Sequence, residues 1–394
     1  MKKSNKRHTG KLLWLSLLAS IFVLIYSGCS APTVNAVPRI NKTPTITVAP
    51  TATSPASKPF PNAAQIDAYL THLNESGVLS GTVLVAQNGM LFAKGYGLAD
   101  KDAVIPNTPQ TRFRIGSITK QFTAMAILIL QERGKLHITD HICLYIPDCP
   151  QDWQPITIAH LLTHSSGIPD YTNFPGFVPT WTQPTTPEEL ISRFKNMPLE
   201  FTPGSRFRYS SSGFILLGYI IERVSGESYA AFLQGNIFAP LKMNNTGYDV
   251  AYPALPQHAT GYYRGYIKPD PYDPSVLYAA GALYSTVEDL NIWDQALMRH
   301  TLISQQTSEA MFTLHIPCPS AGPGGCLLST DRGYGYGLFI AAEPRGELVY
   351  HVGHIDGFFT YDSFYPASKL SVVVLSNLET TNVLQIGQKL ASMV

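Results

Sequence analysis

The 394-residue sequence has few charged residues and almost no net charge. Charged residues make up 14% of the chain, and 28 basic residues against 27 acidic ones give a formal net charge of +1. Five of the basic residues lie within the first eleven positions, where there is no acidic residue. The rest of the chain has 23 basic and 27 acidic residues and therefore a formal charge of −4. Because no basic stripe is present, we do not expect nucleic-acid binding.

Two common hydrolase motifs are missing from the sequence. There is no Gly-x-Ser-x-Gly elbow, which argues against an α/β-hydrolase. The pairs His137/His141 and His160/His164 have i,i+4 spacing, but they lack the glutamate of His-Glu-x-x-His and no nearby acid completes a ligand set. A metallohydrolase is therefore the weaker alternative, and the sequence predicts neither a metal nor a cofactor.

The N-terminal region has the pattern of an export signal. Basic residues precede an apolar run over residues 12–26, which is short for a membrane span, although an uncleaved anchor remains an alternative. Residues 29–62 are rich in proline, threonine, serine and alanine and should form a disordered tether. The sequence thus predicts a signal over 1–28, a tether over 29–62 and a domain over 63–394. We expect an extracytoplasmic protein, either anchored to the bacterial membrane or secreted.

Cysteine is scarce, with five residues in the whole chain and no Cys-x-x-Cys pattern. Cys29 directly follows Ser-Gly after the apolar run and resembles the lipidated cysteine of a bacterial lipoprotein cleavage site. The other four form two close, proline-flanked pairs, Cys143 with Cys149 and Cys318 with Cys326. Outside the cytoplasm such spacing favours local disulfides, and the alternative is four unpaired thiols.

The pattern Ser-x-x-Lys occurs twice, at Ser117/Lys120 and at Ser192/Lys195. On a helix this spacing places hydroxyl and amine on one face, where the amine can take the proton of a serine nucleophile. Ser117 follows a glycine and opens an apolar run, so first-turn N–H groups are free to stabilise negative charge.

The second copy has a different local setting. Thr186 and Glu189 have capping-box spacing, with Pro187 at the first helical position. Ser192 is therefore expected in the middle of a helix, on a solvated surface.

Further motifs follow Ser117 in a fixed order, and together they resemble the serine β-lactamase and penicillin-binding protein superfamily in its class C β-lactamase-like branch. The similarity runs from about residue 81 to the 370s. The matching blocks are Phe-Arg-Ile-Gly-Ser-Ile-Thr-Lys at 113–120, His-Leu-Leu-Thr-His-Ser-Ser-Gly at 160–167, Pro-Gly-Ser at 203–205 with Tyr-Ser-Ser at 209–211, Gly-Ala-Leu-Tyr-Ser-Thr at 281–286, and His-Val-Gly at 351–353.

The resemblance implies a role for each matching residue. Ser117 is the expected nucleophile, Lys120 its general base, and Tyr209 the group that passes the proton to the leaving group. Ser211 stands where the family usually has asparagine, which leaves its role open. The expected substrate-binding and oxyanion residues are Ser211, His351, Gly353 and His354, with backbone N–H groups of Ser117 and His354 forming the oxyanion hole and Gly353 allowing close approach of substrate.

An α+β fold is expected. Strand patterns over 81–87 and 90–96, with an Asn-Gly turn between them, combine with three more over 348–352, 358–365 and 370–375. These five should form one antiparallel sheet flanked by helices near 63–76 and 383–393. The α/β part would cover about 63–110 and 336–394, and a mainly helical part about 111–335 would leave a cleft between the two.

The predicted function is a serine hydrolase that forms an acyl-enzyme on an amide or ester carbonyl. We expect a D-alanyl peptidase-like or esterase-like activity with weak β-lactamase activity, because His351 replaces the lysine of the β-lactamase Lys-Thr-Gly. The alternative is a non-turnover sensor that binds peptidoglycan or β-lactams, which Ser211 favours. Expected partners are a small peptide, ester or β-lactam, with peptidoglycan as a further candidate, and the expected state is a monomer.

Overall fold

The computed structural model describes residues 58–249, 257–319 and 325–394. The predicted signal, Cys29 and most of the predicted tether lie outside these residues. Among the described helices, none is both long and apolar enough to cross a membrane.

The strands are short except in the main sheet. In chain order they are β1 (Lys58–Pro59), β2 (Gly81–Gln87), β3 (Met90–Tyr96), β4 (Leu98–Asp100), β5 (Ile105–Pro106), β6 (Phe113–Arg114), β7 (Gly247–Tyr248), β8 (Leu283–Ser285), β9 (Ile316–Pro317), β10 (Asp331–Tyr334), β11 (Phe339–Glu343), β12 (Gly346–Ile355), β13 (Phe358–Tyr365) and β14 (Leu370–Ser376).

The helices lie mainly in the middle of the chain. They are α1 (Ala63–Glu75), α2 (Thr119–Glu132), α3 (Ile158–Leu162), α4 (Phe177–Thr180), α5 (Pro187–Phe194), α6 (Ser211–Ser225), α7 (Tyr229–Leu233), α8 (Ala239–Leu241), α9 (Tyr278–Gly281), α10 (Val287–Met298), α11 (Gln305–Met311) and α12 (Val383–Ser392).

Within the described ranges, one sheet of nine strands dominates, in the order β1-β3-β2-β14-β13-β12-β11-β10-β9. All neighbours pair antiparallel except β1, which runs parallel to β3. Two small sheets, β4-β5 and β6-β8-β7, lie outside it.

Both faces of the central strands are buried, because alternate residues enter two different cores. On β14, Val372 and Val374 contribute to a cluster with residues of α1 and α12, whereas Val373 and Leu375 contribute to the cluster that contains α2, α6 and α10. The helical layer with the Ser117 region therefore packs on one face, and the two terminal helices pack on the other.

The predicted fold class is confirmed, but the sheet is larger than the five predicted strands. The five predicted strands correspond to β2, β3, β12, β13 and β14, and the described chain adds β1, β9, β10 and β11. These extra strands are two to five residues long, too short for a periodic pattern. β9 and β10 also lie before the boundary predicted near residue 336.

The predicted boundary between tether and domain is too late. Lys58–Pro59 pairs with β3, and Phe60 is 3% exposed within the core. Burial of the Phe60 ring holds this segment against the sheet, although its composition resembles the preceding tether.

Both predicted disulfides are present. Cys143 pairs with Cys149 and Cys318 with Cys326, with Cα–Cα distances of 5.3 and 5.6 Å. Each closes a loop of fewer than ten residues at the edge of the core.

Candidate active site

Ser117 lies in a 3-10 turn, Gly116–Ile118, between β6 and α2. The helix begins at Thr119, so Ser117 precedes its first residue instead of lying in its first turn as expected. Gly116 has φ +50°, and a Cβ there would come within 3.0 Å of the His354 nitrogen. The turn that presents Ser117 therefore depends on a residue without a side chain.

Lys120 points from the first turn of α2 toward Ser117. Its Nζ lies 2.9 Å from Ser117 Oγ and donates to the Ala280 carbonyl at 2.8 Å. The residue is 0% exposed, and this burial lowers the pKa of Lys120 to about 7, against an opposing effect of the Asp170 carboxylate. A large part of the Lys120 amine is therefore neutral near pH 7.

Tyr209 packs against the amine of Lys120. The Nζ of Lys120 lies 4.9 Å from the Tyr209 ring centroid, and the His164 ring lies 4.2 Å from the same ring. Burial raises the pKa of the Tyr209 phenol, while the nearby Ser117 hydroxyl acts in the opposite direction. The Tyr209 hydroxyl makes no hydrogen bond of normal geometry to the described residues, although it is close enough to Ser117 to be influenced by it.

His351 belongs to a buried aromatic cluster and not to the cleft surface. The residue is 1% exposed, its Nδ1 donates to the Val352 carbonyl at 2.6 Å, and its Nε2 accepts from the Tyr334 hydroxyl at 3.0 Å. Burial, with the charge of Lys120, lowers the pKa of His351 to about 3. The direct substrate contact expected of His351 is therefore not what the structure shows, because both ring nitrogens are engaged and the ring is enclosed.

Gly353 has a different role from the one expected. A Cβ on Gly353 would lie 1.8 Å from the Ile115 carbonyl oxygen and 2.4 Å from Thr360 Oγ1. The close approach that requires glycine is thus made by the chain leading to Ser117, not by substrate. Thr360 Oγ1 donates to the Ile115 carbonyl at 3.1 Å and holds this contact together.

The second half of β12 lies against the turn that carries Ser117. Pairing with β11 ends at Tyr350, so residues after it have no strand on that side within the described chain. The His354 main chain lies against Gly116, which brings the two predicted oxyanion segments together. Its side chain is exposed and its Nε2 lies 2.7 Å from Glu379 Oε1.

Ser211 is the first residue of α6 and is half-buried at the cleft. Its side chain makes no hydrogen bond to any described residue. The family usually has an asparagine amide at this position. In this chain the Ser211 hydroxyl does not take its place by bonding to Lys120.

The cleft beside Ser117 has a volume of about 290 Å³. Its lining combines the nucleophile with aromatic, aliphatic and acidic residues: Gly116, Ser117, Asp170, Thr172, Phe177, Trp181, Tyr209, Ser211, Leu277, Ala280, Gly281, His354, Ile355 and Asp356. A larger cavity, of about 860 Å³, is lined by His160, Arg206 and Cys318 among others. It contains neither Ser117 nor Tyr209, so we place the candidate site in the smaller cleft.

Three residues of the site were not predicted as functional. The Ala280 carbonyl accepts from Lys120, His164 packs on Tyr209 with the two rings tilted by 32°, and Asp170 lines the cleft. His164 lies inside the segment 160–167 that the family resemblance already identified, and Asp170 follows it by three residues. Ala280 immediately precedes the block at 281–286, so proximity to these blocks was the available signal.

Among the described residues, the other histidine and cysteine groups form no comparable centre. In the described ranges, the one close group of three potential metal ligands is Cys318, Cys326 and Asp331, and its two cysteines are joined in a disulfide. His160 is part of a capping box with Thr157 at the start of α3.

Comparison with known proteins identifies the family. Residues 66–390 match the family model described as Beta-lactamase. The chain is 35% identical over 321 residues to the putative penicillin-binding protein PbpX of Bacillus subtilis, covering 80% of this chain and 74% of that protein. It is 31% identical over 328 residues to penicillin-binding protein 4* of the same organism, covering 78% and 70%. The chain therefore belongs to the beta-lactamase family.

Solved structures agree with this assignment. A penicillin-binding protein from Bacillus halodurans has a TM-score of 0.72 and 31% identity, covering 83% of this chain and 99% of that one. A penicillin-binding protein homologue from Pyrococcus abyssi, described as octameric, has a TM-score of 0.73 and 31% identity, covering 84% of this chain and 77% of that one. A D-stereospecific amidohydrolase from Streptomyces has a TM-score of 0.70 and 26% identity, covering 84% of this chain and 98% of that one. Because one of these neighbours is an octamer, the monomeric state stays a prediction.

Proposed function

We propose that this member of the beta-lactamase family is a hydrolase in which Ser117 attacks an amide or ester carbonyl and forms an acyl-enzyme. The observation that carries the proposal is the 2.9 Å distance from Ser117 Oγ to the amine of Lys120, a residue with no exposed surface. Burial holds the pKa of Lys120 near 7, so the amine is available as a base at neutral pH.

In the first step, neutral Lys120 accepts the Ser117 proton while its own N–H continues to donate to the Ala280 carbonyl. That second contact restrains the amine in an orientation that allows its lone pair to face Ser117. Ser117 Oγ then forms a bond to the carbonyl carbon, and the carbonyl π electrons move to its oxygen. The N–H groups of Ser117 and His354 are proposed to stabilise this oxyanion, each contributing about 3 kcal/mol in the transition state.

Collapse of the tetrahedral intermediate expels the amine or alcohol, which must receive a proton. Tyr209 is the proposed donor because its hydroxyl is buried beside Ser117 and has no other partner among the described residues. Lys120, protonated in the first step, returns the proton to the Tyr209 oxygen. Water then hydrolyses the acyl-enzyme and restores Ser117.

We propose a D-alanyl peptidase-like or esterase-like activity with weak β-lactamase activity. Support comes from the buried, neutral His351, which offers no positive charge to the carboxylate of a β-lactam. The Streptomyces neighbour, described as a D-stereospecific amidohydrolase, supports an amide substrate. Loss of one charge-assisted hydrogen bond corresponds to about a ten- to hundredfold loss in catalytic efficiency.

A substrate screen tests this function. The purified protein is assayed with a p-nitrophenyl ester, a D-alanyl-D-alanine peptide, a D-amino-acid amide and a cephalosporin. We expect at least one of the first three to have a higher kcat/KM than the cephalosporin, and Ser117→Ala to abolish all turnover. A stoichiometric burst of acylation without turnover would instead identify a sensor, the alternative that Ser211 favours.

Export and tethering through Cys29 are also proposed. The basic, then apolar N-terminal region and the two disulfides support an oxidising, extracytoplasmic location. Mass spectrometry of protein extracted from membranes should find a lipid-modified Cys29 at the N-terminus. An intact Met1 on the mature protein would contradict lipidation.

A further inference from the structure

The cleft lining contains two carboxyl groups and no lysine or arginine among the described residues. The carboxyl groups are those of Asp170 and Asp356, and the one imidazole among the described lining residues is that of His354, whose Nε2 pairs with Glu379 at 2.7 Å. Lys120 lies beneath the surface with its amine engaged by Ser117 and Ala280. A substrate carboxylate would therefore meet two carboxylates in this cleft, whereas a substrate cation would be attracted.

Asp170 is positioned with one oxygen available. Its Oδ1 accepts from the Thr172 backbone N–H at 3.1 Å and from Thr172 Oγ1 at 2.9 Å, which fixes the carboxylate at the start of a 3-10 turn, Tyr171–Asn173. Its Oδ2 makes no hydrogen bond within the described chain. Asp170 also raises the pKa values of Lys120 and Tyr209, so its charge acts directly on the reacting groups.

Asp356 supplies negative charge from the sheet side of the cleft. It lies in the turn between β12 and β13, next to Ile355, and it is half-buried. Burial, with the neighbouring charges of Glu379 and Asp270, raises the pKa of Asp356, although a hydrogen bond from Tyr263 opposes this. Asp170 is thus the better candidate to bind a substrate cation, because two hydrogen bonds from Thr172 hold its carboxylate in place.

Aromatic side chains also line the cleft beside Ser117. Phe177 and Trp181 line the cleft and pack edge-to-face, with ring centroids 5.6 Å apart. Aromatic faces accept both apolar groups and cations. An ammonium group beside a small apolar side chain therefore fits this part of the cleft better than an anion does.

We propose that the cleft selects acyl substrates that carry a positively charged amine close to the scissile carbonyl, and that Asp170 is the residue that binds this amine. The proposal rests on the proposed function, since it names the substrate class of the same site. The expected substrates are amides or esters of amino acids with a free α-amine, whose acyl group is transferred to Ser117. Substrates with a carboxylate in this part of the cleft should be poor.

A matched substrate pair tests the proposal. D-alanine p-nitroanilide and the D-lactic acid p-nitroanilide differ in one group, an ammonium against a hydroxyl, and the corresponding L pair is assayed in parallel. We expect the wild-type protein to prefer the amine by about tenfold to a hundredfold in kcat/KM, the range of one charge-assisted hydrogen bond. If neither is turned over, the same pair is compared for slowing fluorophosphonate labelling of Ser117.

Three variants assign the preference to Asp170. Asp170→Asn retains the Oδ1 acceptor for Thr172 and removes the charge, so the preference should fall to about threefold or less. Asp170→Glu retains the charge and should restore part of the preference. Asp152→Asn, at an exposed aspartate outside the cleft lining, should leave the ratio unchanged. Each ratio compares kcat/KM for the two substrates of the same variant. A general loss of activity lowers both values equally and does not change the ratio.

The outcomes separate the two proposals. A wild-type ratio near one with Ser117 labelled, or a ratio unchanged in Asp170→Asn, would overturn the amine subsite and leave the hydrolase intact. An unlabelled Ser117 together with absent turnover of both substrates would overturn the proposed function and the subsite with it.

Discussion

The two Ser-x-x-Lys segments of this chain have the same spacing and very different surroundings. Lys120 is 0% exposed and its amine lies 2.9 Å from Ser117 Oγ. Ser192 is exposed on α5 and its hydroxyl donates to the Glu189 carbonyl at 2.7 Å. The amine of Lys195 donates instead to the Pro147 carbonyl at 2.9 Å. The spacing alone therefore does not produce a paired nucleophile and base.

Burial and tertiary contacts make the difference. The turn at Gly116–Ile118 is pressed against β12, and Ala280 fixes the Lys120 amine from a distant part of the chain. The second segment has local contacts of the kind that stabilise a surface helix, including the predicted capping box between Thr186 and Glu189, which is confirmed. One segment is thus suited to chemistry and the other to helix formation.

The largest expected contrast comes from removing each lysine. Lys120→Ala should lower kcat/KM by about three orders of magnitude or more, because the base and nucleophile act as a unit. Lys195→Ala should leave kcat/KM within about twofold, since surface substitutions rarely act at a distance. Steady-state hydrolysis of the best ester or amide from the screen measures both. Equal losses in the two variants would contradict the contrast.

An intermediate effect is expected from pH. Lys120 must be neutral to accept a proton, so kcat/KM should rise with pH through about 7 and level off above it. At pH 6 the value should be about tenfold below the plateau. Asp170→Asn removes a charge that raises the pKa of Lys120, so its rising limb should move to lower pH. If kcat/KM instead rises only near pH 10, Lys120 is not the buried base described here.

The smallest effect concerns the second segment. Thr186→Ala removes the side-chain cap of α5 and should lower the free energy of unfolding by about 1 kcal/mol. Activity per folded molecule should not change, because α5 does not line the cleft. Chemical denaturation and steady-state kinetics on one preparation measure both quantities. A loss of kcat/KM with unchanged stability would give this segment a functional role.

The sequence was most informative where local pattern decides structure. The bounds predicted for β2, β3 and β13 match the structure, because alternating or continuous apolar runs and an Asn-Gly turn define them. The family resemblance located Ser117, Lys120 and Tyr209, which the structure brings together.

Long-range packing was not readable in the same way. His351 and Gly353 were expected to meet substrate, yet one is enclosed by aromatic rings and the other lies under the Ile115 carbonyl. Asp170 was not singled out because an aspartate before a turn has an ordinary capping role, and only the fold shows that this residue lines the cleft beside Ser117. Such positions depend on which surfaces meet, which local sequence does not encode.

Identification of the acylated serine tests the central claim most directly. The protein is treated with a fluorophosphonate probe, and peptide mass spectrometry locates the modified residue in the wild type, Ser117→Ala and Ser192→Ala. We predict modification of Ser117 in the wild type and in Ser192→Ala, and none in Ser117→Ala. Modification of Ser192, or labelling that persists in Ser117→Ala, would contradict the account.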